Sequence, residues 1–181
     1  MFQCARRITI LKTVFVLACS LASAFGQATP NPLTDAIMSR YKTIRLNLVE
    51  AAQAMPDEHY GFRLTPEQRP FGEWIGHVAM GNMSYCATIK GEAAPDTAHM
   101  HQLTGKADLV EAIQKSFDYC DEALKGVTDQ KALGEVTVGG KKVYPVQGMI
   151  GVVASGNEHY GNLVGYLRSK GITPPSSARK K

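Results

Sequence analysis

The chain has 181 residues, a length that suits a single domain. Its 20 Lys and Arg residues only slightly outnumber its 16 Asp and Glu residues, and the formal net charge is +4. Part of that excess is the terminal Arg179-Lys180-Lys181, so no basic face predicts a nucleic-acid partner. Beyond the N-terminal leader, no segment is apolar over the length that a transmembrane helix needs. The composition therefore indicates an ordinary globular domain.

The first 26 residues have the order of a secretory signal peptide. Arg6, Arg7 and Lys12 form a basic start, an apolar run over 13–21 follows, and small residues offer cleavage sites near 24–26. We therefore expect export to the periplasm or the extracellular space, and about 155 residues would remain, enough for one core. A lipoprotein attached through Cys19 is the alternative, which the short apolar run before Cys19 disfavours.

Four cysteines are present, and Cys4 and Cys19 would leave with the leader. The remaining pair is Cys86 and Cys120. An even pair in an oxidising compartment permits a disulfide. Two small, buried apolar residues within helices are the other interpretation, and the residue pattern leaves both open.

Four segments have apolar residues at helical spacing. The predicted helices cover about 31–54, 71–90, 105–125 and 145–170. Asn31 is expected to cap the first helix, and Gly171 to end the fourth. Short alternating runs flank Gly139-Gly140, which predicts a hairpin between the third and fourth helices.

These elements predict an all-α fold. Four helices of similar length indicate a four-helix bundle over residues 31–172, with 173–181 as a loose basic tail. The fourth helix contains five glycines, Gly148, Gly151, Gly156, Gly161 and Gly165. Because each glycine costs a helix interior about 1 kcal/mol, their number implies close approach of another element, or a ligand space.

Two histidines lie on different predicted helices. His77 follows Glu73 by one turn, and His159 lies at the edge of the apolar stripe of the fourth helix, one turn after Ser155. Imidazole suits zinc and nickel, and a carboxylate can complete a site, so His77, His159 and Glu73 are candidate ligands. Alternatively, Glu73 only orients the His77 ring, and His159 is a hydrogen-bonded core histidine. Ser155 lacks an orienting acid, which argues against a serine hydrolase.

A second group of candidate ligands occurs in the loop before the third helix. Here His99-Met100-His101 places two imidazoles at alternate positions. The pattern could bind a metal loosely, although a solvated loop is its commoner meaning.

Longer segments carry a resemblance to a known family. One is FRLTPEQRPFGE, residues 62–73, which leads into the helix of His77. Another is NEHYGNL, residues 157–163, with its ending YLRSKGITPP at 166–175. Together they resemble the DinB family of helical bundles, which are related to bacterial thiol transferases, over about 33–175. The segments 86–91 and 116–123 are similar to exported members.

The resemblance implies a divalent metal, nickel or zinc, held by one histidine of the second helix and two of the fourth, four residues apart. His77 matches the first ligand and His159 the later one of the pair, whereas Ser155 stands at the third position. A hydroxyl is a poor ligand for such an ion, so the implied site is degenerate unless Glu73 or water completes it.

The family topology also implies that the second and third helices are parallel. Cys86 and Cys120 each lie about 15 residues into their helices, so this topology places them at the same height and permits a disulfide. Homodimers are common among bundles of this type.

Two functions remain open at this stage. The resemblance implies a metal-dependent enzyme, a thiol transferase or one like a hydrolase. The alternative is a non-catalytic bundle without metal that binds an unidentified small molecule or a partner. Its pocket is expected near Trp74, Tyr85 and Tyr160.

Overall fold

The structure is a computed structural model that describes residues 30–180. In chain order, the elements are α1 (Pro32–Ala54), α2 (Phe71–Lys90), α3 (Lys106–Leu124), α4 (Asp129–Ala132), β1 (Val136–Val138), β2 (Lys141–Val143), α5 (Pro145–Ser169) and α6 (Pro175–Ala178). Short 3-10 turns occur at Asp57–His59 and Ala98–Gln102. The prediction of an all-α four-helix bundle is confirmed. The predicted leader and its Cys19 lie outside the described residues.

Within residues 30–180, no helix combines the length and the apolar character that crossing a bilayer requires.

The hairpin predicted between the third and fourth long helices is present. Strands β1 and β2 pair antiparallel, with Val136 opposite Val143. Gly139 and Gly140 form the turn with φ angles of 55° and 77°. A two-residue turn that requires positive φ at both positions favours glycine, which explains the Gly-Gly pair.

The direction of the second and third long helices follows from their contacts. A Cβ added to Gly72, near the start of α2, would lie 3.0 Å from Leu109, near the start of α3. Towards the ends of the two helices, a disulfide joins Cys86 to Cys120 with a Cα–Cα distance of 5.1 Å. The starts therefore meet at one level and the ends at another, so α2 and α3 are parallel. Both cysteines are fully buried.

The other two long helices run in the opposite direction. Lys106, which begins α3, donates to the carbonyl of Met55, just past the end of α1. On α5, Tyr166 lies beside Trp74 near the start of α2, whereas Gly151 lies beside Tyr85 near its end. Both α1 and α5 are therefore antiparallel to the central pair.

The packing of α5 against α2 is unusually close at two glycines. A Cβ at Gly148 would lie 2.3 Å from the carbonyl oxygen of Tyr85, and a Cβ at Gly151 would lie 2.4 Å from its ring. Gly156 approaches Ile44 of α1 in the same way, at 2.9 Å. A Cβ added to Gly161, by contrast, would have no neighbouring atom within 4 Å. Close approach thus explains three of the five glycines, and Gly161 is not one of them.

Asn31 does not cap α1 with its side chain, contrary to the sequence prediction. Asp129 of α4 performs this role, because its carboxylate accepts the backbone N–H of Leu33 at 3.1 Å and that of Thr34 at 2.8 Å. Asn31 Oδ1 in turn accepts the N–H of Asp129 at 2.9 Å. The cap is therefore reciprocal and long-range, so the local sequence does not reveal it.

The segment predicted as a loose tail is ordered in its described part, 173–180. Pro175 is buried, and α6 is held to α5 because Ser176 bonds to the hydroxyl of Tyr160 through both its N–H, at 2.9 Å, and its own hydroxyl, at 2.8 Å. Arg179 binds Glu50 and Asn47 of α1. The prediction was wrong because these partners are distant in sequence.

The glycine contacts lead to a paired stability prediction. Gly148→Ala is expected to lower the free energy of unfolding by about 1–3 kcal/mol, because the added methyl group overlaps α2. Gly161→Ala, on the same helix but in open space, is expected to raise it by about 0.5–1 kcal/mol. Urea denaturation of both variants measures the difference, and equal effects would contradict the close-packing explanation.

Candidate functional site

The site predicted from the two histidines is assembled where α2 faces α5. The rings of His77 and His159 have centroids 4.9 Å apart and an interplanar angle of 71°. The helix register explains why they meet. His77 lies eight residues before Tyr85 on α2, and His159 lies eight residues after Gly151 on α5. Since Tyr85 and Gly151 are in contact, the antiparallel arrangement brings the two histidines together.

Trp74 covers the histidine pair from one side. Its ring centroid is 5.2 Å from that of His159 and 5.9 Å from that of His77. The indole N–H of Trp74 donates to the hydroxyl of Tyr166 at 3.2 Å. The hydroxyl of Tyr166 donates to the carbonyl of Arg69 at 2.6 Å. These bonds fix the indole, so Trp74 forms a rigid wall of the site.

One nitrogen of His159 has no partner. The side chain is only 8% exposed, and its Nδ1 is buried without a hydrogen-bond partner among the described residues. A buried polar atom left unsatisfied costs about 1–3 kcal/mol, so such atoms in native proteins call for an explanation. One explanation is that this imidazole nitrogen binds a ligand.

Burial also holds both histidines in the neutral form. Burial lowers the pKa of His159, and the neighbouring His77 lowers it further, while Glu158 opposes the shift. For His77, burial and the charge of Arg69 lower the pKa, and Glu73 and Glu158 oppose the shift. Neutral imidazole is the form that binds a metal ion, so this environment favours the metal-binding form of both histidines at neutral pH.

Position 155, where the resemblance implies a third ligand, carries a serine and not a strong donor. Ser155 lies one turn before His159 and is half-buried. The register that pairs Tyr85 with Gly151 places Ser155 opposite Gly81. Glu73 is exposed and pairs with Arg69 at 3.0 Å. Within residues 30–180, no three His, Cys, Asp or Glu side chains form a group that could hold a metal.

The three residues predicted to line a pocket do not meet at one place. Trp74 belongs to the histidine pair, as described. Tyr85 packs on Gly151, about 12 Å along the helix from His77 at 1.5 Å per residue. Tyr160 follows His159 in sequence, but its hydroxyl binds Ser176 of α6.

A cavity of about 280 Å³ lies between α2 and the segments that precede and follow this helix, which the sequence predicted as loops. We call it the α2 cavity. Its lining includes Tyr60, Glu73, His77, Met80, Met100 and His101. The sequence did not predict this cavity. Its one signal there is the His99-Met100-His101 pattern, which does not reveal that the loop folds back onto α2.

Comparison with known proteins identifies the fold. The DinB superfamily matches residues 40–160. A DinB-like protein from Bacillus cereus has a similar structure, with a TM-score of 0.63 and 15% identity over 78% of this chain and 95% of that one. For a DinB-like protein from Bacillus subtilis, the TM-score is 0.60 and the identity 22%, over 76% and 93%. No curated protein sequence matches this chain.

The depressed pKa of His159 predicts a stability change with pH. The unfolded chain has a histidine pKa of about 6.5, so below that value it binds more protons than the folded protein does. The contribution of His159 to the free energy of unfolding is therefore complete above the unfolded pKa. It is lost as the pH falls from that value towards the lower pKa of the folded protein. The groups facing His159 are His77, Arg69 and Glu158.

Urea unfolding with a chelator present, at pH 7 and pH 5, measures this loss. His159→Gln removes the titrating ring and is expected to show a smaller loss than the wild-type protein. An equal loss in both proteins would contradict the buried, neutral state of His159.

Proposed function

This chain belongs to the DinB superfamily, and from that premise we propose that it binds one divalent metal ion through His77 and His159 at an open, two-imidazole site. The observation that carries the proposal is the buried, unpartnered Nδ1 of His159, in a ring 4.9 Å from that of His77. Nickel and zinc both accept imidazole.

The residues present fit two ligand positions of such an ion. His77 and His159 supply neutral imidazoles, and the wall formed by Trp74 restricts access from one side. Ser155 does not fit the third position, because a hydroxyl binds these ions weakly. Water would complete the coordination, which leaves the ion exchangeable. When bound, such an ion lowers the pKa of a coordinated water or thiol.

The alternative is a non-catalytic bundle that binds a small molecule or a partner without metal. The observation in its favour is the lack of a third strong donor among residues 30–180. The two functions separate experimentally, because only the first requires metal in the unmodified protein. A thiol-transferase or hydrolase activity would require the first.

Metal titration followed by calorimetry tests the proposal. The protein is expected to bind one equivalent of Zn²⁺ or Ni²⁺, and His159→Ala to lose that binding. Ser155→His restores an imidazole one turn from His159 and is expected to tighten binding by more than the roughly 10- to 100-fold that an outer partner contributes. By helix register the residue opposite position 155 is Gly81, which has no side chain of its own.

The matched control is Ala154→His, which adds a histidine to an exposed position of the same helix. It is expected to leave the affinity of the central site unchanged. If the wild-type protein binds no metal while Ser155→His does, the metal proposal is wrong and the metal-free binding bundle is favoured. If His159→Ala binds as tightly as the wild-type protein, His159 is not a ligand.

We further propose that the protein acts outside the cytoplasm. The leader over 1–26 and the disulfide between Cys86 and Cys120 support this, since disulfides persist in oxidising compartments. Expression of the full chain in a bacterium, followed by N-terminal sequencing of the periplasmic fraction, is expected to give a start near residues 25–27. Recovery of the intact leader in the cytoplasm would contradict export, and a lipid-modified Cys19 would show the lipoprotein instead.

A further inference from the structure

The α2 cavity brings together four side chains with soft or borderline donor atoms. His77 and Met80 are three residues apart on α2 and therefore share one face of that helix. Met100 and His101 come from the facing turn, Ala98–Gln102. This turn lies directly on α2, because a Cβ added to Gly76 would be 3.7 Å from the carbonyl oxygen of Met100.

We propose that these two thioethers and two imidazoles form a site for a soft monovalent cation, Cu(I). Thioether sulfur and imidazole nitrogen both bind Cu(I), whereas magnesium, calcium and manganese prefer oxygen. Glu73 also lines the cavity, but its carboxylate pairs with Arg69 at 3.0 Å, and a single carboxylate does not supply the several oxygen ligands that hard ions need. The site shares His77 with the His77–His159 pair, but its other donors differ, because His159 does not line the cavity.

The donors have to close on the ion, since a single cation does not fill about 280 Å³. The side chains allow this closure. Methionine has three rotatable bonds and adapts to irregular spaces. His101 is exposed at the mouth of the cavity, and Met100 is anchored in the buried wall, at 7% exposure. A buried thioether, a thioether with several rotatable bonds and an exposed imidazole together suit an ion that binds and exchanges.

Silver(I) is the appropriate probe, because it imitates Cu(I) without a reductant that would open the disulfide. The full chain is used with Cys4→Ser and Cys19→Ser, so that no leader thiol competes for the ion. Methyl-¹³C methionine resonances are followed during titration in chloride-free buffer. One equivalent of Ag(I) is expected to shift the methyl signals of Met80 and Met100.

Substitutions then test each donor. Met80→Leu and Met100→Leu conserve volume, so the fold should tolerate them, and each is expected to weaken Ag(I) binding at least 10-fold. Met83→Leu is the matched control: the same change on the same helix, at a residue outside the cavity lining, should leave the affinity unchanged.

Three results would overturn the proposal. The first is a shift of methionine signals throughout the protein without saturation at one equivalent. The second is wild-type affinity in both Met80→Leu and Met100→Leu. The third is an equal loss in Met83→Leu, which would show that the substitution itself, and not a cavity donor, alters binding.

Discussion

The contact of α2 with α5 at Gly148 and Gly151 determines where the chemistry of this protein can occur. Neither position has room for a side chain, because the backbone and ring of Tyr85 occupy the space that a Cβ would need. Two rigid helices that touch so closely at one level have a fixed register at every other level. That register brings His77 to His159. The histidine pair therefore depends on glycines two to three turns away, which take no part in it.

A second constraint fixes α2 on its opposite side. The disulfide ties Cys86 to Cys120 of α3, and one turn earlier Asn82 donates to the buried hydroxyl of Ser116 at 3.1 Å. Closing a loop of 34 residues by a disulfide stabilises a fold by about 3–4 kcal/mol in the chain-entropy treatment. Since α2 is held by glycine contacts on one face and by the disulfide on another, it can present His77 without support from a bound ligand.

The sequence predicted the elements of the fold better than their contacts. Apolar spacing located the four long helices, and Gly139-Gly140 located the hairpin, because both signals are local and periodic. The cap of α1 by Asp129 and the attachment of α6 through Ser176 join residues far apart in sequence, so no local pattern could reveal them. The same distinction between local signals and long-range contacts applies to the candidate site. His77 and His159 were recognisable as residues, but only the helix register shows that they meet.

The location of His77 gives this helix two chemically different faces. On the side of α5, His77 meets a second imidazole and an indole, surroundings that suit a borderline divalent ion. On the side of the cavity, it shares a wall with two thioethers, which only a soft ion would prefer. Ser155 weakens the first face and leaves the second unaffected, because it lies on α5 and does not line the cavity. Because position 155 carries serine, His77 has one imidazole partner on the α5 side, whereas the cavity side adds two thioethers and the imidazole of His101.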